Sequence, residues 1–173
     1  MKLNLGCGPH VMDGWLNFDV VAYPGVTRMD LALGLPGTAS ESVDFIFSEH
    51  FIEHLDRDVA EHLFKEMYRV LKPGGVVRLS TPDLDHIIKC YKAGSISAWA
   101  PAWAPKTPAQ FLNEALRLWD HRFIYDLAEL RESLLMAGFS FARKATWRKS
   151  KFPELANLEI RPSLGDLIIE AIK

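Results

Sequence analysis

The segment from Val43 to Asp83 constrains the fold more than any other part of this sequence. It opens with VDFIFSE, an almost wholly apolar run that is typical of a strand covered on both faces. Asp56 is expected to cap the helical pattern that follows it, whose apolar residues share one side. KPGG ends this helix, and VVRLSTPD predicts a further strand. A strand, a helix and a strand in this order predict a parallel pair, the repeating unit of α/β folds.

The rest of the chain continues the alternation. KLNLGC, WLNFDV and GVTRMDL predict strands, whereas LDHIIKCYKAG, AQFLNEALRLW and DLAELRESLLMAGF predict helices. The late runs FSFARKATW and DLIIEAIK have no helical pattern between them, which predicts an antiparallel hairpin at the sheet edge. A Pro- and Trp-rich insertion at about 94–108 interrupts the pattern. Its Trp99 and Trp103 are candidates for a substrate pocket, a cofactor cover, a subunit contact or simple core packing.

Composition excludes several classes of protein. The 173 residues, 49% apolar and 24% charged, suit a single globular domain spanning 1–173. The net charge of −2 favours neither nucleic acid nor an anionic membrane. Cys7 and Cys90 lie far apart without a C-x-x-C pair, which argues against a disulfide framework or a thiolate zinc site. No signal-peptide pattern and no bilayer-spanning apolar run is found, so a cytoplasmic location is expected.

Three predicted strands end in residues suited to a nucleoside. Gly6 and Gly8 follow the first strand, where glycine lets the backbone turn tightly and lets a ligand approach main-chain N–H groups. Asp19 ends the second strand, and its carboxylate could accept hydrogen bonds from both hydroxyls of a ribose. Asp30 and Leu31 end the third, where a carboxylate and a backbone N–H could read an adenine edge. The alternative is a tight turn with a capping aspartate.

With these motifs in this order, the sequence resembles the class I S-adenosylmethionine-dependent methyltransferases, particularly the compact methyltransferase type 11 group. The resemblance rests on LNLGCG, LNFDV, MDL, VDFIFSEHFIEHL, MYRVLKPGGVVRLSTPD, LLMAGF and LIIEAIK. It implies a Rossmann-like, doubly wound α/β sheet of seven strands in the order 3-2-1-4-5-7-6, with strand seven antiparallel and helices on both faces. It also implies S-adenosylmethionine as cofactor, with Asp19 at the ribose. The other implied cofactor contacts are Gly6, Cys7, Gly8, Asp30, Leu31, Ser48 and Glu49.

The sequence departs from that family at its front end. Members usually carry helices before the first strand that help to cover the cofactor, whereas this sequence starts on the strand itself. The stretch between Gly8 and Asp19 is also too short for a full helix. A cover is therefore expected from another segment or from the second subunit of a homodimer.

His50 to His54 reads H-x-x-E-H, the inverted zinc-peptidase signature. A strand runs into His50, however, and the helix cap comes only at Asp56, so a zinc hydrolase is a remote alternative and no metal ligands are assigned. His50 is instead the candidate general base, because an unperturbed imidazole titrates near neutral pH. The alternative is that His50 satisfies a loop carbonyl while Glu53 braces the next helix.

Further catalytic candidates are Glu53, His121 and Tyr125, the last two following the third predicted helix. The sequence thus predicts methyl transfer to oxygen or nitrogen of a small molecule or glycan. SEHF after the fourth strand is not the Asp/Asn-Pro-Pro-aromatic string of nucleic-acid N-methyltransferases, so a nucleic-acid acceptor is disfavoured, and no membrane partner is expected. The alternative is a partner subunit of the same fold that binds the cofactor without turnover.

Overall fold

The computed structural model describes residues 1–94, 103–161 and 165–173. They form a seven-stranded sheet in the order β3-β2-β1-β4-β5-β7-β6. The strands are β1 (Lys2–Leu5), β2 (Leu16–Asp19), β3 (Thr27–Arg28), β4 (Val43–Glu49), β5 (Leu71–Pro82), β6 (Phe141–Lys144) and β7 (Asp166–Ile172). β7 pairs antiparallel with both β5 and β6, and the other pairs are parallel. The predicted strand order and the antiparallel edge hairpin are confirmed.

The described helices are α1 (Arg57–Val70), α2 (Leu84–Ala93), α3 (Pro108–Arg117) and α4 (Leu127–Met136). Asp56 is the N-cap of α1 in backbone conformation, although its side chain accepts no capping hydrogen bond. KPGG does not lie in a turn after α1 as expected: β5 starts at Leu71, directly after the helix, and the β4–β5 register shifts at this point. The register shift accommodates the glycines within the strand. The third strand is shorter than GVTRMDL, only Thr27–Arg28.

One face of the sheet is covered by α1 and α4. Leu63, Phe64 and Met67 of α1 are fully buried, as are Leu130 and Leu134 of α4. They pack in one apolar cluster with strand side chains that all point to this face: Leu3, Leu5, Ile46, Val77, Leu79, Leu167 and Ile169. The helical periodicity in the sequence thus corresponds to a helix-covered face.

The centre of the opposite face is covered by loops. The loop joining β1 to β2, residues 6–15, contains no helix, and it contributes Trp15. The loop joining β6 to β7 contributes Leu155, from a single 3-10 turn in its described part. Both side chains are buried against Phe47 and Val76 of the sheet. We call residues 6–15 the front loop and residues 145–161 the back loop.

Two buried asparagines hold the front loop in place of a helix. Asn4 on β1 and Asn17 on β2 are 3% and 5% exposed, and the Asn4 Nδ2 donates to Asn17 Oδ1 at 2.9 Å. Asn17 also donates to the carbonyls of Met12 and Trp15 and accepts from the Met12 N–H, while Asn4 donates to the His10 carbonyl. Buried backbone groups need partners, and these two amides supply them.

Arg78 holds the back loop. Its guanidinium, 0% exposed on β5, pairs with Glu159 at 2.6 Å and with Glu170 at 2.7 Å. It also donates to the carbonyls of Thr146 and Lys149. A buried guanidinium needs this many acceptors because desolvation of a charge is costly. The back loop is thereby fixed to the sheet at both of its ends.

A third cluster lies around α2 and α3. Trp103 is 9% exposed and stacks on Phe111 with ring centroids 5.3 Å apart, so the core-packing alternative describes this tryptophan. Trp99 lies outside the described residues. Among the helices of the described residues, none is long and apolar enough to cross a membrane.

Candidate active site

A crevice of about 420 Å³ opens beyond the carboxyl ends of β1, β2 and β4. In a parallel α/β sheet this is the edge where ligands bind, near the point at which strand order reverses. The front loop and the end of the back loop wall it on either side. Its lining comprises Asn4, Gly6, Cys7, Gly8, Pro9, His10, Val11, Met12, Asp19, Tyr23, Phe47, Glu49, His50, Phe51, His54, Leu158, Ile160 and Arg161.

The glycines after β1 allow a close approach. Gly6 and Gly8 have φ of 64° and 53°, in the left-handed region that favours glycine. A Cβ at Gly6 would lie 2.2 Å from Cγ of Phe51, so the Phe51 ring packs directly on this glycine. Cys7 lies between the two glycines, and burial together with the nearby Asp19 carboxylate raises the pKa of its thiol to about 11. This turn therefore presents backbone and a neutral thiol to the crevice.

Asp19 is oriented by two backbone donors. Its Oδ2 accepts from Gly8 N–H at 2.8 Å, and its Oδ1 accepts from Val21 N–H at 2.9 Å. Each carboxylate oxygen has further lone pairs, so both can accept an additional hydrogen bond from a ligand. The carboxylate is therefore fixed in the crevice with acceptor capacity to spare.

Glu49 joins β4 to the back loop. Its Oε2 accepts from Ile160 N–H at 3.3 Å and its Oε1 from Arg161 N–H at 3.2 Å. Burial raises the pKa of the Glu49 carboxyl, with the two N–H donors acting in the opposite direction. The contact brings Leu158, Ile160 and Arg161 onto the crevice wall. The back loop is thus a cover contributed by another segment of the same chain.

The residues expected at the cofactor divide into two groups. Gly6, Cys7, Gly8, Asp19 and Glu49 line the crevice.

The other three lie outside its lining. Asp30 caps a 3-10 turn by accepting from Ala32 N–H, and Leu31 is 3% exposed in the apolar core. Ser48 is 1% exposed, with its hydroxyl inside the sheet.

His50 lies between two carboxylates. Its Nδ1 is 3.3 Å from Glu53 Oε1 and its Nε2 is 3.3 Å from Asp166 Oδ1. Burial lowers the pKa of this imidazole, but the contacts with Asp166 and Glu53 outweigh it and raise the pKa to about 9. His50 is therefore protonated at neutral pH, which disfavours the predicted role as a general base.

The remaining catalytic candidates do not line the crevice. Glu53 is fully buried and accepts from the Thr81 hydroxyl at 3.0 Å. Tyr125 is 1% exposed in the main core, where burial raises the pKa of its phenol. His121 is half-buried, and its Nδ1 lies 2.9 Å from the carbonyl oxygen of Ala115.

The H-x-x-E-H string does not form the helical pair of a zinc peptidase. His50 ends the strand region with φ of 50°, Ile52–His54 is a 3-10 turn, and α1 begins only at Arg57. His50 and His54 therefore do not share one face of a helix. This agrees with the late helix start that the sequence predicts.

Several crevice residues had no signal in the sequence. Tyr23, Leu158, Ile160 and Arg161 reach the wall only through tertiary contacts. Phe51 lies inside the H-x-x-E-H string. Its ring packs on the glycine turn at Gly6, a contact between distant parts of the chain that the sequence does not show.

Comparison with known proteins supports the resemblance seen in the sequence. Residues 26–79 match the model of a family described as methyltransferase domain. A search of curated proteins finds no significant sequence match.

Solved methyltransferase structures resemble the chain along nearly all of its length. A S-adenosylmethionine-dependent methyltransferase from Archaeoglobus fulgidus has a TM-score of 0.61 at 15% identity, covering 99% of this chain and 85% of the other. One from Mesorhizobium loti has a TM-score of 0.58 at 21% identity, covering 99% and 90%. Phosphoethanolamine N-methyltransferase 2 of Haemonchus contortus, in complex with S-adenosylmethionine, has a TM-score of 0.59 at 15% identity, covering 99% and 48%.

At this low identity, the structural matches show a shared fold. The sequence match covers residues 26–79, from just before β3 into β5. The chain thus has the fold of class I S-adenosylmethionine-dependent methyltransferases, and its residues 26–79 match the methyltransferase domain family model, as the resemblance in the sequence implies.

Proposed function

We propose that this protein binds S-adenosylmethionine in the crevice and transfers its methyl group to an oxygen or nitrogen of a small molecule or glycan. The observation that carries the proposal is the Asp19 carboxylate, held by Gly8 N–H and Val21 N–H beside a glycine turn. A carboxylate fixed at the end of the second strand is suited to two adjacent ribose hydroxyls.

Charge in the crevice favours the same ligand. The Asp19 and Glu49 carboxylates both line the crevice, and a cationic sulfonium benefits from negative potential in a partly enclosed site. Arg161 also lines the crevice, and we assign its guanidinium to the carboxylate of the methionyl group. Tyr23 and Phe51 add aromatic surface for the adenine.

The reaction makes modest demands on side-chain chemistry. A lone pair of the acceptor attacks the methyl carbon, the carbon–sulfur bond breaks, and its electron pair neutralises the sulfonium. The acceptor proton leaves to water. Because His50 is already protonated between Glu53 and Asp166, the proposed catalysis rests on holding acceptor, carbon and sulfur in line rather than on this imidazole.

Calorimetric titration with S-adenosylmethionine tests the proposal. Asp19→Ala removes charge-assisted hydrogen bonds worth about 1.5–3 kcal/mol, so the affinity should fall by roughly 10- to 100-fold. Asp13→Ala is the matched control, because Asp13 is an exposed aspartate outside the crevice lining. Wild-type protein that releases no binding heat would contradict the proposal, as would equal affinities in both variants.

A screen of acceptors separates turnover from binding alone. Formation of S-adenosylhomocysteine with hydroxyl- or amine-bearing metabolites or glycans is expected for an enzyme. Cofactor binding without product across that screen would instead favour the alternative, a partner subunit of the same fold that does not turn over.

A further inference from the structure

Three potential metal ligands converge beside the crevice. One ligand atom each from Glu53, His54 and His121 lie within 4.8 Å of one another. The two imidazoles meet edge to face, with ring centroids 5.2 Å apart. His54 also lines the crevice, so the cluster and the crevice share a side chain.

Backbone contacts hold the two halves of this cluster together. Arg122 N–H and Phe123 N–H both donate to the carbonyl of Glu53, at 2.7 and 3.1 Å. These bonds fix the segment after His121 against the turn that carries Glu53 and His54. Residues far apart in sequence are thus placed at a constant separation, as a ligand set requires.

The side chains are also oriented as ligands. The Nδ1 of His121 lies 2.9 Å from the Ala115 carbonyl oxygen, which fixes the proton on Nδ1 and leaves the lone pair on Nε2. The Thr81 hydroxyl donates to Glu53 Oε2, a contact of the kind that orients a ligating carboxylate.

Glu53 itself is hard to explain by packing alone. Its side chain is 0% exposed, yet Oε1 accepts no hydrogen bond from the described residues, and its partner His50 lies at 3.3 Å. A fully buried carboxylate with spare acceptor capacity is costly unless a cation compensates for it. A metal ion between Glu53 and the two histidines would give this carboxylate a cation beside the 3.3 Å contact with His50.

We propose that Glu53, His54 and His121 bind a divalent first-row transition-metal ion at the edge of the crevice. Two imidazoles and one carboxylate suit Zn²⁺, Mn²⁺ or Fe²⁺ and leave coordination positions open. Bonds of about 2.0–2.2 Å would draw the ligand atoms inward to about 3.4 Å. This replaces the expectation from the sequence that the chain has no metal ligands.

Beside a methyl donor, such an ion would activate the acceptor. This role rests on the proposed function. An acceptor hydroxyl bound at an open position would lose its proton to water more readily, because the cation stabilises the oxyanion. The resulting oxygen attacks the methyl carbon while the carbon–sulfur bond breaks. The site therefore favours an acceptor that offers an oxygen.

Metal binding is measured on the full chain without cofactor or acceptor. Calorimetry with Zn²⁺ or Mn²⁺ alone is expected to give about one equivalent, with His54→Gln and His121→Gln each weakening the affinity at least 100-fold. His62→Gln is the matched control, since His62 is an exposed histidine on α1, and it should bind like wild type. Circular dichroism checks that each variant folds.

Histidine side-chain NMR of the wild-type protein keeps the test independent of variant folding. Zn²⁺ should shift the ring resonances of His54 and His121 and leave those of His62 unchanged. The proposal is overturned if the wild-type protein binds no metal. It is also overturned if His54→Gln or His121→Gln keeps the wild-type metal affinity, or if His62→Gln loses as much affinity as they do. Titration with S-adenosylmethionine in the absence of metal is scored separately, so failure of either proposal is seen without the other.

Discussion

The two faces of the sheet are closed by different means. On one face, α1 and α4 bury apolar side chains against apolar strand residues. On the other face, two loops are held by the buried amides of Asn4 and Asn17 and by the buried ion pairs of Arg78. The crevice lies on the loop-covered side, between the front loop and the back loop.

The difference shows how a short α/β chain can form a covered site without helices over it. A helix satisfies its own backbone, so it needs only apolar contacts to bind a sheet. A loop has unpaired N–H and C=O groups, so it can cover a sheet only where side chains satisfy them. The helix-covered face depends on many interchangeable contacts, whereas the loop-covered face depends on a few polar groups.

The largest expected effect comes from removing the anchor of the back loop. Arg78→Met leaves Glu159 buried without its cation and leaves Glu170 only the longer contact with Arg143 at 3.5 Å, which costs about 3–5 kcal/mol of unfolding free energy. Urea denaturation followed by circular dichroism measures it. Arg57→Met is the control, because Arg57 makes its ion pairs at the surface and the midpoint should hardly move. Equal midpoints for the two variants would mean that buried charge does not hold this face.

The second comparison is between a buried amide that holds the front loop and a buried apolar side chain on the helix-covered face. Asn17→Ala removes the side-chain partner of the Met12 N–H and of the Trp15 carbonyl and should cost about 2–3 kcal/mol of unfolding free energy. Leu63→Ala, on the helix-covered face, should cost about 2–5 kcal/mol. Only Asn17→Ala is expected to weaken S-adenosylmethionine binding, because it releases the front loop. Calorimetry under stabilising conditions decides this, and equal affinities would show that the two faces are not functionally distinct.

The smallest effect concerns the thiol in the crevice. With a pKa of about 11 against an ordinary value of 9.0, Cys7 should carry about 100-fold less thiolate at pH 8 than in the unfolded chain. In a Cys90→Ala background, iodoacetamide should therefore react slowly with the folded protein, and its rate should keep rising with pH to about 10. The urea-unfolded protein is the reference, and its rate should level off near pH 9. A folded rate that levels off equally early would show that burial and Asp19 do not act on this thiol.

Features with a short-range signature were predictable. The apolar run of β4, the periodicity of α1 and the late hairpin follow from patterns of two and 3.6 residues, which local sequence displays directly. The glycine turn and Asp19 were also predictable, because strand ends of a parallel sheet meet at one edge.

Local sequence does not show the contacts that residues distant in the chain decide. Asp30 follows β3 and Ser48 lies near the end of β4 as expected, but neither lines the crevice, and their contacts with the cofactor stay predictions. His50 has the sequence context of a base, yet Asp166, on a distant strand, helps to keep it protonated.

The sequence by itself determined the order and type of the elements and the edge at which they present glycine and carboxylate, because these depend on residues close together in the chain. Only the tertiary structure decided what covers that edge. Arg78 meets Glu159 across 81 positions and Glu170 across 92, and sequence does not display partners so far apart. Such pairing depends on how desolvated charges and amides find each other once the sheet has formed.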